Sequence, residues 1–305
     1  MSPDVSIGQV ATVAVSVTTV WTGPGASRSC DAAAVAAMPD IPRWVAKMTT
    51  GDRLGLHGRT LTQLLLGDRV LIEDVVDDWA KIIAPSQGCP NLDPRGYAGW
   101  LPTAHLTPTG ADRSDGDLYI VDAITTQLFE APAGKPADME VVLGTNLTAD
   151  GPVRAGHLPV IIPGRSEPLW VKPADLAAAP TQPPTGRQVL EVAERLVDVP
   201  YVWGGVSPYG IDCSGLVYLA HHRLGVVVPR DAADQADASR CLSAAEARPG
   251  DLFFFGRPGC PVHHVGFVTE ELKIFHASGT GGRVQHDTVA GELADTLLGV
   301  HRTVA

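Results

Sequence analysis

At 305 residues, with 45% hydrophobic side chains and a formal charge of -11, the chain has apolar content enough for two or three folded domains. The negative balance argues against nucleic-acid backbones and anionic membrane surfaces as partners, because both reward clustered Lys and Arg. No apolar stretch is long enough for a membrane span, and residues 1–20 carry no basic side chain. The expected location is therefore cytoplasmic, although a start at a processed N-terminus would read the same way.

In chain order, residues 10–108 read as short β segments joined by turns. Residues 11–20 are strand-like, 32–47 insert a short helix, and 69–74 and 79–84 are apolar strands around an acidic turn. Leu66-Gly67-Asp68-Arg69-Val70, Asp78-Trp79-Ala80-Lys81-Ile82 and Gly99-Trp100-Leu101 resemble the bacterial SH3-like module, a small β-barrel. A first domain is expected over 1–112. Residues 118–123, 140–143, 158–162 and 168–171 read as further strands, with Trp170 where a second barrel places its closing aromatic. A second SH3-like β domain is expected over 113–180, the alternative being a β-rich extension of the first. The Pro-rich stretch 177–184 reads as a linker. Beyond it, Thr185 and Gln188 form a capping box ahead of a helical face of Val189, Val192, Ala193 and Leu196. A third domain, 181–305, is expected to be α+β, with strands at 251–255, 264–268 and 273–277.

Within that domain Asp212-Cys213-Ser214-Gly215 opens an apolar run with Leu216, Val217, Ala220 and Leu224 at helical spacing and Gly225 after it. The spacing predicts an amphipathic helix capped by Asp212 with Cys213 in its first turn. A thiol there feels the positive end of the macrodipole, which favours thiolate. A lone cysteine is more often a small buried residue, so the partner histidines decide. Seven of the ten histidines, His57, His105, His157, His221, His222, His286 and His301, sit in loops or beside charged residues, where solvation is the default. His264 starts one strand and His276 ends the next. A hairpin centred on Glu270 would set the two opposite each other, as an imidazole pair of which one serves the other. His263 points to the other face by alternation. The expected apparatus is Cys213 as nucleophile, His264 as base and acid, and His276 as its orienter. A zinc site from the same residues is disfavoured, since no closely spaced ligand pair supports it.

Tyr201-Val202-Trp203-Gly204-Gly205, Asp212-Cys213-Ser214-Gly215, Pro229-Arg230-Asp231, the run from Arg248 to Phe255, His264-Val265-Gly266 and Phe275-His276-Ala277 resemble, in order, the NlpC-type cysteine peptidases of bacterial cell walls. The resemblance implies a papain-like fold. With SH3-like modules in front, it implies the subgroup that cleaves the γ-D-glutamyl to L-diamino acid bond of murein peptides with a free N-terminal L-Ala. It further implies that Tyr201 lines the site near the oxyanion, and that Asp212, Ser214 and Asp231 hold the substrate ammonium. Tyr97, from the SH3-like module, is expected to wall the non-prime side. The subgroup often has a hydroxyl residue where this chain has Ala232.

No metal or organic cofactor is expected, and the partners are murein peptides. Two other readings remain, a wall-peptide binding protein on the same scaffold and a thiol-dependent amidase or acyltransferase. Five cysteines form no CxxC pair. They fit disulfides Cys30–Cys89 and Cys241–Cys260 beside one working thiol, and they fit free thiols in a reducing cytosol equally.

Overall fold

A computed structural model of the chain describes residues 5–109 and 116–304. The expected boundary at 112/113 lies outside the described residues. Two units are present, Met1–Ser86 with Arg95–Ala179, and Gln87–Pro94 with Pro180–Ala305. The segment Gln87–Pro94 belongs with the second unit although strands of the first flank it in sequence.

The first unit begins with β1 (Val10–Val13) and β2 (Val17–Trp21), which divide the single strand expected over 11–20. Helices α1 (Ala32–Val35), α2 (Ile41–Lys47) and α3 (Thr50–Leu54) follow. The break between the first two falls where the Asp40 side chain accepts from the Arg43 amide and Pro42 occupies the first turn, a start signal that ends any continuous helix over 32–47. Then come β3 (Thr60–Leu65), β4 (Arg69–Val76), β5 (Trp79–Ala84), β6 (Tyr97–Pro102) and β7 (Leu106–Pro108). They form one sheet in the order β3-β2-β6-β5-β4-β1-β7. Its end strands do not pair, so among the described residues the sheet is open rather than a closed barrel. Trp21 and Trp44 meet at 6.1 Å between ring centroids and are both fully buried with Leu64, Ile72 and Ile82.

The same unit continues with β8 (Leu118–Val121), β9 (Thr125–Phe129), β10 (Pro136–Val142), β11 (Asn146–Thr148), β12 (Leu158–Val160), β13 (Leu169–Val171) and β14 (Leu176–Ala178). They form two small sheets, β10-β9-β13-β12 and β11-β8-β14. Val121, Leu128, Val141, Val160 and Leu169 fill the core between them. Strands β9 and β11 escaped the sequence reading because each is short and half polar, and β14 because it is a three-residue Leu-Ala-Ala run. The last of them takes in Ala177 and Ala178 from the expected linker.

The second unit starts at α4 (Gly186–Glu194), whose Thr185 hydroxyl and Gln188 side chain exchange hydrogen bonds with each other's backbone amides. After it come β15 (Val206–Ser207), β16 (Gly210–Ile211), α5 (Cys213–Arg223), α6 (Ala232–Asp237), β17 (Arg240–Leu242), β18 (Leu252–Phe255), β19 (His264–Val268), β20 (Ile274–Ser278), β21 (Arg283–Asp287), α7 (Glu292–Thr296) and β22 (Leu297–Arg302). Six strands make an antiparallel sheet in the order β17-β22-β18-β19-β20-β21, and α5 packs on β19 and β20. This is the helix-on-sheet arrangement expected of the C-terminal domain. Helix α5, though, is not amphipathic. Leu216, Val217, Leu219, Ala220 and His221 are all fully buried and Arg223 nearly so, because the helix is wrapped on every side rather than laid on a surface.

Candidate active site

Cys213 is the first residue of α5. Asp212 before it has extended backbone, and its side chain accepts from the Gly215 amide at 2.6 Å, which starts the helix at the cysteine. Gly215 carries no Cβ because one would collide with the carbonyl oxygen of Gly205. The turn that carries Cys213 is thus pressed against the Gly204-Gly205 backbone. The amides of Val265 and Ser214 donate toward the sulfur, which sets Cys213 against the residue next to His264.

β19 and β20 pair Phe267 with Phe275 and Val268 with Ile274, so the turn centres one residue later than expected, on Glu271. Glu271 itself is in the left-handed region, at φ 58°. In this register Gly266, not His264, stands opposite His276, and the two imidazoles meet on the diagonal of one sheet face. His264 Nε2 lies 2.6 Å from His276 Nδ1, with the rings edge-on at 71°. On the next strand His276 pairs with Gln285 and Ile274 with Asp287. A second diagonal step places Asp287 Oδ2 3.0 Å from His276 Nε2, and Gln285 Nε2 donates to the same oxygen at 2.6 Å. Asp287 was absent from the sequence reading. Its signal was the alternation Gln285, Asp287 on a strand that the reading did not predict.

Burial dominates the electrostatics. It pushes the Cys213 thiol up to about 12, helped by the charge of Asp212 and opposed by the amides of Val265 and Ser214 and by Arg230. The lowering expected from the first helical turn is therefore outweighed by desolvation. Burial also pushes His264 down to about 3, with His276 and His263 acting in the same direction. His276 is lowered by burial against the pull of Asp287. At neutral pH the resting site holds a thiol and neutral imidazoles.

The other expected residues fall in three places. Tyr201 is near enough to Cys213 and Asp212 that both add to the rise that burial imposes on its phenol; it stays a donor. Asp212 is saturated: its oxygens accept from Gly204 N at 2.8 Å, Gly215 N at 2.6 Å, Arg230 Nη2 at 2.8 Å and Ser214 Oγ at 3.3 Å, which fills a carboxylate's four sites. Ser214 Oγ also accepts from Arg230 Nη1 at 2.9 Å. Asp231 stands at the N-terminal cap position of α6 without a side-chain capping hydrogen bond, and its side chain is 41% exposed. Its Oδ2 lies 3.6 Å from Cys89 Sγ, which also lies 3.4 Å from Asp234 Oδ2. Tyr97 is in the other unit, buried in β6 opposite Ala84. His263 is exposed.

Two expectations need correction. His105 and His221 are fully buried rather than solvated. His105 sits between Thr18 Oγ1 and the Ala36 carbonyl, both at 2.7 Å. His221 sits between the Val217 carbonyl at 2.8 Å and Thr303 Oγ1 at 2.7 Å. A ring with both nitrogens matched can be buried neutral. Of the two cysteine readings left open by the sequence, the structure shows free thiols at all five positions.

Residues 198–302 match the NlpC/P60 family. A gamma-D-glutamyl-L-lysine dipeptidyl-peptidase from Bacillus subtilis (strain 168) is 30% identical over 278 residues, covering 90% of this chain and 92% of its own. A protein of the same name from Bacillus cereus (strain ATCC 10987 / NRS 248) is 28% identical over 273 residues, covering 86% and 81%. Among solved structures, an NlpC/P60 family protein from Bacillus cereus ATCC 10987 superposes with a TM-score of 0.88 at 25% identity, over 96% of this chain and 99% of its own.

Proposed function

The chain belongs to the NlpC/P60 family of cysteine peptidases, and from that premise we propose that it hydrolyses the γ-D-glutamyl to L-diamino acid bond of murein peptides whose N-terminal L-Ala is free. The carrying observation is the line of contacts from the Cys213 sulfur, past the Val265 amide, to His264, His276 and Asp287. The near-full-length relatives named as γ-D-glutamyl-L-lysine dipeptidyl-peptidases support the bond and the substrate class. The open first-unit sheet is consistent with a broken SH3-like module, and the second unit with a papain-like one.

His264 Nε2 is engaged by His276, so Nδ1 is the nitrogen left to take the thiol proton. The sulfur attacks the γ-carbonyl carbon as that proton leaves, and the developing oxyanion is met by the Cys213 amide and the Tyr201 phenol. Collapse expels the diamino acid's amine, which collects the proton from His264 Nδ1 and leaves the L-Ala-γ-D-glutamyl group as a thioester on Cys213. Water, deprotonated by the same nitrogen, then releases the dipeptide.

Recognition of the ammonium falls to Asp231, because Asp212 has no acceptor site to spare. Asp212, Ser214 and Arg230 instead brace the helix start. A cationic amine leaving water needs a carboxylate, and a capped peptide offers none of that gain. Five unpaired thiols fit a reducing compartment, which we propose is the cytoplasm.

The test uses L-Ala-γ-D-Glu-L-Lys peptides and their N-acetylated forms. Wild type should cleave the free peptide and spare the acetylated one, and Cys213→Ala should cleave neither. Turnover by Cys213→Ala would refute the nucleophile, and equal cleavage of both peptides would refute the ammonium reading.

A further inference from the structure

We propose that Asp287 is a positioning residue that selects the tautomer of both active-site histidines and so decides whether His264 Nδ1 is bare or already carries a hydrogen when it meets the thiol. The inference rests on the peptidase reading above and extends it by one residue. An ionised carboxylate can only accept. Burial works against ionisation of Asp287, but hydrogen bonds from His276 and Gln285 hold its carboxyl below the usual range. It therefore accepts near neutral pH, and the 3.0 Å contact with His276 Nε2 requires the hydrogen on that nitrogen. A neutral ring has one hydrogen to place, so His276 Nδ1 is left as a lone pair. The 2.6 Å contact between that nitrogen and His264 Nε2 then requires the hydrogen on His264 Nε2. By the same count His264 Nδ1 is bare and able to take the proton of Cys213.

Without the carboxylate, His276 is free to carry its hydrogen on Nδ1. That tautomer presents a donor to His264 Nε2, which would then have to accept, and the hydrogen of His264 would move to Nδ1. The base would meet the thiol with its nitrogen already occupied. Gln285 serves the same end from the other side, since its Nε2 at 2.6 Å from Asp287 Oδ2 fixes the carboxylate's rotamer. Three strands, β19, β20 and β21, each contribute one member of the line, and the last sits on the edge strand of the sheet.

The experiment compares wild type with Asp287→Ala and Asp287→Glu. Ring 15N shifts of His264 and His276 report the tautomers, the rate of Cys213 alkylation by iodoacetamide reports the base, and kcat and KM are measured on L-Ala-γ-D-Glu-L-Lys. In wild type, Nδ1 of both rings should be pyridine-like and Nε2 pyrrole-like. In Asp287→Ala the tautomers should become mixed and kcat should fall roughly 10- to 100-fold, less than the ~10² to 10⁴ that a general base itself is worth, with KM within about twofold. Asp287→Glu should restore the tautomers and part of the rate. Should Asp287→Ala not fold, Asp287→Asn, of equal size, takes its place; its amide can donate or accept, so it too predicts mixed tautomers. Unchanged 15N shifts with kcat within about twofold of wild type would overturn the proposal. The predicted tautomers in wild type and their loss in Asp287→Ala, with no cleavage of the peptide by wild type, would sink the substrate reading and leave this inference standing.

Discussion

Arg230 carries its charge with no solvent exposure at all, held by Asp212 Oδ2, Ser214 Oγ and the Gly205 carbonyl. Its partner charge, Asp212, flanks Cys213, so the pair binds the glycine-rich loop to the helix start. Removing one member of a buried pair leaves the other uncompensated, a loss of about 3 to 5 kcal/mol. Arg230→Met should lower the melting temperature of the second unit sharply, and Arg230→Lys should recover little, because an ammonium cannot reproduce the fork. Calorimetry on the two variants checks this; a melting temperature unchanged in Arg230→Met would contradict it. The titration behaviour of the nucleophile follows from its burial. With His264 pushed down to about 3 and the thiol up to about 12, the rate of peptide hydrolysis should show no acid-side inflection near 6.5, where a solvated histidine would put one. A limb at 6 to 7 in kcat/KM would contradict the account. The placement of Cys213 at a helix start and of His264 and His276 on paired strands could be read from the sequence because each lies in a short string of distinctive neighbours. Asp287 could not, since Gln285-His286-Asp287 reads like any polar edge strand until its register against His276 is known.

Where β19 meets β20, the fold reserves a place for the imidazole pair. A Cβ on Gly266 would stand 2.6 Å from Ile274 Cδ1 and 2.7 Å from His276 Cβ, so the two strands approach this closely only because residue 266 is glycine. Gly266→Ala should force β20 outward and lengthen the His264–His276 contact. A displacement of about 1 Å is worth roughly 100-fold in rate, so kcat should fall far more than stability does. Full activity in Gly266→Ala would show that the diagonal contact does not matter. The hairpin itself was readable, but its register was not. The reading placed the turn's centre at Glu270, whereas Thr269 N donates to the Lys273 carbonyl at 2.8 Å and the left-handed Glu271 sits at the centre. A shift of one residue in the centre moves every pairing by two, which keeps each side chain on its face. For that reason His264 and His276 still met although the predicted partner was wrong. The amphipathic reading of α5 failed for another reason: spacing shows which residues are apolar, not how many sides of a helix are covered.

Across the whole chain, buried neutral histidines tie stability to pH, and outside the active site these are His105 and His221. Burial pushes His105 in the first unit and His221 in the second down to about 4 from 6.5. Between those values the unfolded chain binds protons that the folded one refuses, so stability falls as pH drops through that window. At roughly 1.36 kcal/mol per unit the loss is about 3 kcal/mol for each histidine. Melting temperatures of both units should therefore decline from pH 6.5 to 4; a flat profile would contradict the buried neutral rings. Three domains were expected from composition shifts and turn spacing, which cannot reveal that Gln87–Pro94 joins the second of two units. Long-range placement of a short loop leaves no periodic trace. The most direct test of the central claim is intact-mass analysis after rapid quenching of the wild-type enzyme with excess L-Ala-γ-D-Glu-L-Lys. The account predicts one L-Ala-γ-D-glutamyl adduct, located by digestion on Cys213. Turnover with no adduct on Cys213, or with the adduct on Cys241 or Cys260, would contradict it.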